Sequence, residues 1–435
     1  MQAVIKKSFL YAPLSYSFFG LILVVDQLLL PMFHFSGIPF KISYLTCGLW
    51  LINFLVKSNR NEYEDKEFKF FVYPIIIIMI CGVLGEIYFN GWWQSDGLEP
   101  LVRNLLIYIL AILSFGLGLS CKKFDINWLI PIILTAIFLN FAFIFFKFDL
   151  PSWLINFYYS ERYIADFASL GLSDAQGILE LARPRGLFPN PNVSSFLVNI
   201  ISLFIYLGIR NKLCRPPNPM VYFLIILLPI VLCGLLASRG EFVSSLILSF
   251  LHTRSALKVN KKYSLKLIAF FTFIPIFLGS YLVNKIDISE FQSNIERAFS
   301  VVQIINNTGD DIDEETKSLS SIARPLQVFI PAFERFKISP IFGSGFATDS
   351  SHQSFKEGTD YFHNDWFRLI VTSGIIGLLA MLWLINRFIL ILGWPALIPF
   401  VFPGMINTFL LNIPAVMFYF FMVGLIRSRI KSSES

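Results

Sequence analysis

The chain has 435 residues, of which 55% are hydrophobic, 17% aromatic and only 15% charged, with a formal net charge of +6. Soluble domains carry about 25% charged residues, so this composition excludes an ordinary water-soluble fold and indicates an integral membrane protein. The basic residues are scattered among short connections and form no patterned surface, which argues against nucleic acid as a partner.

Apolar stretches of the length needed to cross a hydrocarbon core recur along the chain. They fall at 12–30, 38–56, 70–89, 101–120, 127–146, 191–209, 219–237, 240–252, 264–283, 363–385, 388–408 and 411–426. The fold class expected is therefore all-α and polytopic, with about twelve transmembrane helices in a single membrane domain over 1–435. The stretch 240–252 is short for a span. The connections 57–69, 121–123, 210–215, 254–266 and the tail 427–431 are basic and fall on one side, together with Lys6 and Lys7. The positive-inside rule makes that side the cytoplasm and puts both termini there. No small-residue cleavage site follows the first apolar stretch, so it is expected to stay as an anchor. Cys47, Cys81, Cys121, Cys214 and Cys233 lie in spans or cytoplasmic turns, and their spacing gives neither a disulfide framework nor a metal site.

Two outer connections are long. The first covers 147–190. The second covers 284–362, about 80 residues, too long for an idle link in a compact protein. In it, Ile288, Phe291, Ile295, Phe299, Val302 and Ile305 recur at three- and four-residue spacing, which predicts an amphipathic helix. Leu326, Phe329, Ile330, Phe333 and Phe336 predict a second one, with Arg324 at its start. Between them GDDIDEE (309–315) lacks the glycine and terminal glutamate of a calcium loop and reads as a solvated acidic turn.

Three polar stretches interrupt this greasy background. A charge at mid-membrane costs roughly 2.5–3.5 kcal/mol, so their arginines belong at an interface or in a polar cavity. In RPRGLFPNPN (183–192), Asn190 and Pro191 suit the cap and first position of the following helix, which leaves Arg183 and Arg185 beside a helix N-terminus, where an anion is favoured. Arginines that merely hold the interface are the plain alternative. LLASRGEF (235–242) must contain a turn, because one helix from 219 to 252 would be about 51 Å long. Ser238 and Glu241 fit a capping box, and Arg239 is left at the outer face. In PIFGSGF (340–346), Gly343 and Gly345 permit a tight turn with N–H groups directed inward. In YFHNDWFRLIVTSGIIGLL (361–379), His363 stands at the outer start of a span, Asn364 or Asp365 is available as its cap, and Gly374 and Gly377 allow close packing. His34, His252 and His352 have no comparable setting.

In order and topological side, these stretches resemble the O-antigen ligase and polymerase superfamily of bacterial envelopes. The resemblance rests on Arg185-Gly186 with Asn190-Pro191-Asn192, on Ser238-Arg239-Gly240, on Arg324 with Gly343 and Gly345, and on His363-Asn364 with Gly374 and Gly377. It covers about residues 180–385. It implies an inverting, metal-independent and cofactor-free glycosyltransferase of the bacterial inner membrane, with 147–190 and 284–362 as periplasmic loops. The donor would be an oligosaccharide on undecaprenyl diphosphate, and a chain-length regulator and a flippase would be candidate partners. Arg239 and Arg324 would hold the diphosphate, with Arg185 or Arg183 assisting, and His363 would take the proton of the acceptor hydroxyl. Asn364, Gly343 and Gly345 would line the site. Arg297, Arg335, Lys337 and Lys356 are rival loop cations, Asp360 and Asp365 are rival bases, and Tyr158, Tyr159 and Tyr163 are candidates for stacking on sugars. Polymerase, ligase and transporter of lipid-linked sugars remain open at this point, with Asp26 and Glu86 as the acidic groups a transporter would use.

Overall fold

The stretch from Ala415 to Ile426 is apolar on every face, which suits a helix surrounded by protein. In the computed structural model it forms the central helix of a bundle, and every one of these residues is buried. The structure describes residues 13–31, 33–35, 38–56, 62–90, 95–146, 150–158, 186–188, 191–236, 238–259, 333, 336–346, 364–406, 409–410 and 412–434.

In chain order the elements are α1 (Pro13–Leu29), an antiparallel hairpin of β1 (Phe33–Phe35) and β2 (Ile38–Phe40), α2 (Ile42–Val56), α3 (Glu62–Gly85) with a π-helical turn (Glu86–Asn90), and α4 (Ser95–Ser120). A 3-10 turn (Ile126–Trp128), α5 (Leu129–Phe145), α6 (Ser152–Tyr158), α7 (Pro191–Arg210), α8 (Pro219–Leu235) and α9 (Arg239–Val259) follow. The chain ends with α10 (Asp365–Leu392), a second 3-10 turn (Trp394–Leu397), α11 (Ile398–Ile406) and α12 (Ile413–Glu434). Among the described residues five helical stretches are long and apolar enough to cross a membrane, in α3, α5, α7, α10 and α12, and four shorter apolar helices accompany them. This is a multi-pass membrane protein.

The apolar windows of α7 and α12 are each 83% buried, against 44% in α3 and 39% in α5 and α10, so α7 and α12 form the middle and the others face outward. The closest crossing is between α4 and α12. A Cβ on Gly118 would overlap the carbonyl of Phe421, and one on Gly424 would overlap that of Phe115. Two bare positions thus let the backbones touch, the usual means of association where lipid is as apolar as a side chain. Rings fill the space alongside: Phe71 stacks on Phe115 with centroids 4.0 Å apart, and the Tyr419 hydroxyl donates to the Ala396 carbonyl at 3.0 Å.

Several sequence expectations are corrected. The second span begins at Ile42 and not at 38, because Ile38–Phe40 pair with Phe33–Phe35 as a hairpin. The span expected at 240–252 belongs to a 21-residue helix. Hydropathy falls off at His252, yet its ring is buried with Nε2 3.0 Å from the Ser202 carbonyl and Nδ1 3.0 Å from the Tyr222 hydroxyl, so its polarity is satisfied inside the bundle. The spans expected at 363–385 and 388–408 are divided elsewhere. Asn386-Arg387 reads as a break, but Arg387 lies over the Phe70 ring at 4.6 Å and α10 continues to Leu392. Gly393, with φ of 80°, ends it, and only the short α11 follows. The span expected at 264–283 and most of 284–362, including the first amphipathic helix, lie outside the described residues.

One end of the bundle gathers the basic connections. Arg427 pairs with Glu67 at 2.8 Å, and Arg429 donates to the carbonyls of Lys122 and Phe124. Gly393 packs on the Arg210 guanidinium. The opposite end holds the motifs described below.

The glycine crossing predicts that Gly118→Leu or Gly424→Leu costs about 3 kcal/mol through overpacking. The check is the fraction of detergent-solubilised protein that stays monodisperse after heating. Gly48→Leu, where an added Cβ meets nothing within 4 Å, should leave that fraction unchanged.

Candidate active site

A helix start leaves amide N–H groups without partners, and in lipid they must find a side chain. At α10 that side chain is Asn364. Its Oδ1 accepts from Trp366 N at 2.9 Å and Phe367 N at 3.1 Å. The neighbouring carboxylate does other work: Asp365 Oδ2 accepts from Leu410 N at 3.0 Å and ties α10 to the connection before α12. Asp365 is buried, and this bond gives its carboxylate a structural role.

One turn further on, Arg368 is buried and its guanidinium donates to Asn104 Oδ1 on α4. Asn104 Nδ2 in turn donates to the Phe346 carbonyl at 3.5 Å. Arg368 carries no motif and escapes a reading by pattern. The signal that exposes it is an ionisable side chain four residues past a cap in an otherwise apolar helix, which must face protein.

Phe346 ends the G-x-G loop, and that loop is bonded into a break in α10. Gly374 has φ of 64° and ψ of −166°, a region open essentially to glycine alone. The break frees two amides and two carbonyls. Ile375 N donates to Pro340 O at 2.9 Å and Ile376 N to Ile341 O at 3.3 Å, while Ser344 N donates to Val371 O at 2.7 Å and Gly345 N to Thr372 O at 3.2 Å. The Gly343 amide donates to Ser339 O at 3.0 Å. These loop amides are therefore engaged within the fold. On the other side the loop meets α3, where a Cβ on Gly82 would overlap the Phe346 ring and one on Gly85 would overlap Gly343 and Gly345. A Cβ on Gly345 would overlap the Glu86 backbone. Gly343 and Gly345, at φ of 80° and 95°, supply the turn that lets the loop enter.

A second group of motif residues surrounds the start of α7. Leu187 N donates to Asn140 Oδ1 at 2.8 Å, and Gly186 lies so close to that oxygen and to Ser194 that no side chain would fit. The Ser238 hydroxyl bonds Asn192 Oδ1 at 2.9 Å and also the Glu241 carboxylate. Ser238 N donates to Cys233 O, and the two side chains of the expected capping box bond each other directly. Asn199 Nδ2 donates to Glu241 O at 2.7 Å and holds α9 against α7.

The turn between α1 and α2 adjoins this group. Lys41 is buried, donates to Asp26 O at 2.5 Å and Leu30 O at 2.7 Å, and lies 5.5 Å from the centre of the Phe188 ring. Burial lowers its ammonium pKa to about 8, with the Asp26 carboxylate acting in the opposite sense. Asp26 Oδ2 accepts from Ser43 N at 2.8 Å and so serves as a cap for α2. The two groups are joined through 409–410, where the Phe409 ring meets Phe196 of α7 at 5.8 Å and Leu410 N bonds Asp365 of α10.

Of the residues expected in the site, Asn364, Gly343 and Gly345 are placed. Arg239 is the first residue of α9, and its side chain lies outside the described part. Arg183, Arg185, Arg324 and His363 lie outside the described residues, although Gly186 and Asn364 beside them are placed. Among the described residues, no group of three or more His, Cys, Asp or Glu side chains is placed to share a metal ion.

Residues 221–382 match the family described as O-antigen ligase. The matched stretch runs from the start of α8 into α10 and contains the S-R-G turn, the G-x-G loop and the His363-Asn364 pair. The match supports a likeness of this part of the chain to the O-antigen ligase and polymerase superfamily, whose members are membrane glycosyltransferase-like enzymes. No curated protein matches the chain.

The break at Gly374 predicts that Gly374→Ala is severely destabilising. The backbone region alone costs of order 1–3 kcal/mol for a residue with a Cβ, and that Cβ would overlap the Ile341 carbonyl. Trypsin cleavage after Lys337 in isolated membranes should become faster as the loop is released, and an unchanged cleavage rate would show that the loop does not depend on the break.

Proposed function

We propose that this protein is a surface-polysaccharide polymerase that joins oligosaccharide repeat units carried on undecaprenyl diphosphate, at the periplasmic face of a bacterial inner membrane. The observation that carries this reading is the convergence of the superfamily's separate motifs on one end of the bundle. The segment after Arg185, the start of α9 at Arg239 and the cap after His363 are linked there through Asn192, Ser238, Phe409, Leu410 and Asp365, and the G-x-G loop is bonded into the same α10 further along.

In this reading Arg239 and Arg324 bind the donor diphosphate, assisted by Arg185 or Arg183. Guanidinium groups and helix N-termini suit such an anion. His363 takes the proton of the acceptor hydroxyl as its oxygen attacks the anomeric carbon. The bond from that carbon to the diphosphate oxygen breaks on the opposite face, which inverts the centre and releases undecaprenyl diphosphate. The arginines stabilise the charge that grows on the leaving diphosphate, an effect that is large where water is excluded. The chemistry asks nothing of a metal or cofactor.

A ligase, which transfers a finished glycan to lipid A-core, is the second reading, and the matched family is compatible with both. The transporter reading loses support from its own acidic residues. Asp26 caps α2, and Glu86 opens the turn at the end of α3, so both stand at helix ends instead of mid-helix positions.

The test is a gel of surface polysaccharide from a strain lacking the gene, complemented with wild type, His363→Ala or Arg239→Ala. A single repeat unit on the core in place of the ladder identifies a polymerase. Long glycan retained on the lipid carrier identifies a ligase. Both variants should reach normal membrane levels and lose at least about 100-fold in product, the scale of losing a general base or an oxyanion-type donor. A ladder unchanged by the deletion would remove the assignment.

A further inference from the structure

Arg368 is a charged side chain whose burial calls for an explanation. It is a guanidinium buried in an apolar helix, on α10, with its identified bond to a neutral amide on another helix. Replacing such a group by a well-packed apolar one is often neutral or stabilising, so its presence calls for a reason other than stability. Its surroundings supply one. Arg368 joins α10 to Asn104 of α4, and Asn104 joins α4 to the Phe346 carbonyl where the G-x-G loop ends. One chain of hydrogen bonds thus connects three pieces: the first turn of α10, the tenth residue of α4 and the last residue of the loop.

The place of Arg368 in its helix matters as well. With Asn364 as the cap, Arg368 stands at the fourth helical position, in the first turn of α10. The residue before the cap is His363. Asp365 fixes the same turn from the other side through Leu410 N.

We infer that Arg368 and Asn104 are positioning residues for glycosyl transfer, which hold the entry to α10 and the G-x-G loop at the separation that the reaction requires. The inference rests on the glycosyltransferase reading above and deepens it. Neither residue is assigned contact with the substrate. Reaction geometry is sensitive to such support, since a displacement of about 1 Å costs on the order of 100-fold in rate.

The experiment uses the purified full chain in lipid nanodiscs. The probe is the polyprenyl-diphosphate-linked glycan extracted from membranes of the deletion strain, and initial rates are measured against its concentration. Arg368→Met keeps the length of the stem without the guanidinium. Asn104→Asp keeps an oxygen for Arg368 but removes the donor to Phe346, and its charge pairs with the guanidinium, so it protects against a variant that fails to fold. The expected result for both is a kcat lower by roughly 10- to 100-fold, with KM for the lipid-linked glycan within about threefold of wild type. Arg368→Lys should recover part of the loss, and the double variant Arg368→Met with Asn104→Leu, which leaves no buried charge unpaired, should be about as active as Arg368→Met alone, as expected for residues in one network. Monodisperse variants whose kcat stays within twofold of wild type would overturn the inference. So would losses that multiply in the double variant, or a loss in Arg368→Met that is explained wholly by reduced folded protein while Asn104→Asp is fully active. A wild type that transfers nothing from this probe, and equals His363→Ala, would remove the functional reading and this inference with it. An active wild type beside unaffected Arg368 and Asn104 variants would remove the inference alone.

Discussion

A backbone that leaves helical form inside hydrocarbon must find its hydrogen bonds within the protein, and at Gly374 that demand determines the arrangement of this end of the bundle. The break in α10 exposes amides at Ile375 and Ile376 and carbonyls at Val371 and Thr372, and the 340–345 loop answers all four. To reach them the loop must lie between α3 and α10. That is possible only because Gly82 and Gly85 leave a channel on one side and Gly374 leaves room on the other. The loop is then fixed in height and direction, and its last carbonyl arrives where Asn104 and Arg368 can hold it.

The same rule governs the other helix ends at this side. Asp26 serves Ser43, Asn140 serves Leu187, Asn364 serves Trp366 and Phe367, and Asp365 serves Leu410. Each is a short polar side chain spent on a backbone amide. Together they bring a set of buried dipoles to one end of an otherwise apolar molecule, next to the segments that carry the arginines and the histidine. In the proposed reaction, preorganised polar groups in a setting poor in water would favour the charge that grows on a leaving diphosphate.

Much of this was legible in the sequence. Apolar length and spacing located most of the helices, the turn at Ser238 followed from the excessive length of a single helix, and Asn364 was recognisable as a cap. What escaped did so for physical reasons. Hydropathy could not see that Arg387 would lie over Phe70, or that His252 would be satisfied by Ser202 and Tyr222, so helices α10 and α9 came out too short. Gly343 and Gly345 read as a tight turn with N–H groups directed inward, and their amides are engaged by Ser339 and Thr372, the latter a carbonyl that is open only because a distant helix has broken. Gly374 and Gly377 suggested contact between helices, yet Gly374 makes room for a loop. Arg368 and Asn104 are far apart in the chain, and neither belongs to a motif. Their meeting is a product of the fold.

The bonding of the loop into α10 also has a consequence for biogenesis. As α10 leaves the insertion machinery it cannot settle into lipid as a finished helix, because its break has no partners of its own. The loop that satisfies it is made shortly before, but the channel that admits the loop belongs to α3, made far earlier. Until these three come together, two amides and two carbonyls face hydrocarbon, each at a cost that a membrane segment does not sustain for long. Lodging of 339–346 between α3 and α10 is therefore a late and committing step of assembly. A chain stalled before it would present an open polar seam to lipid and to the quality-control proteases of the membrane.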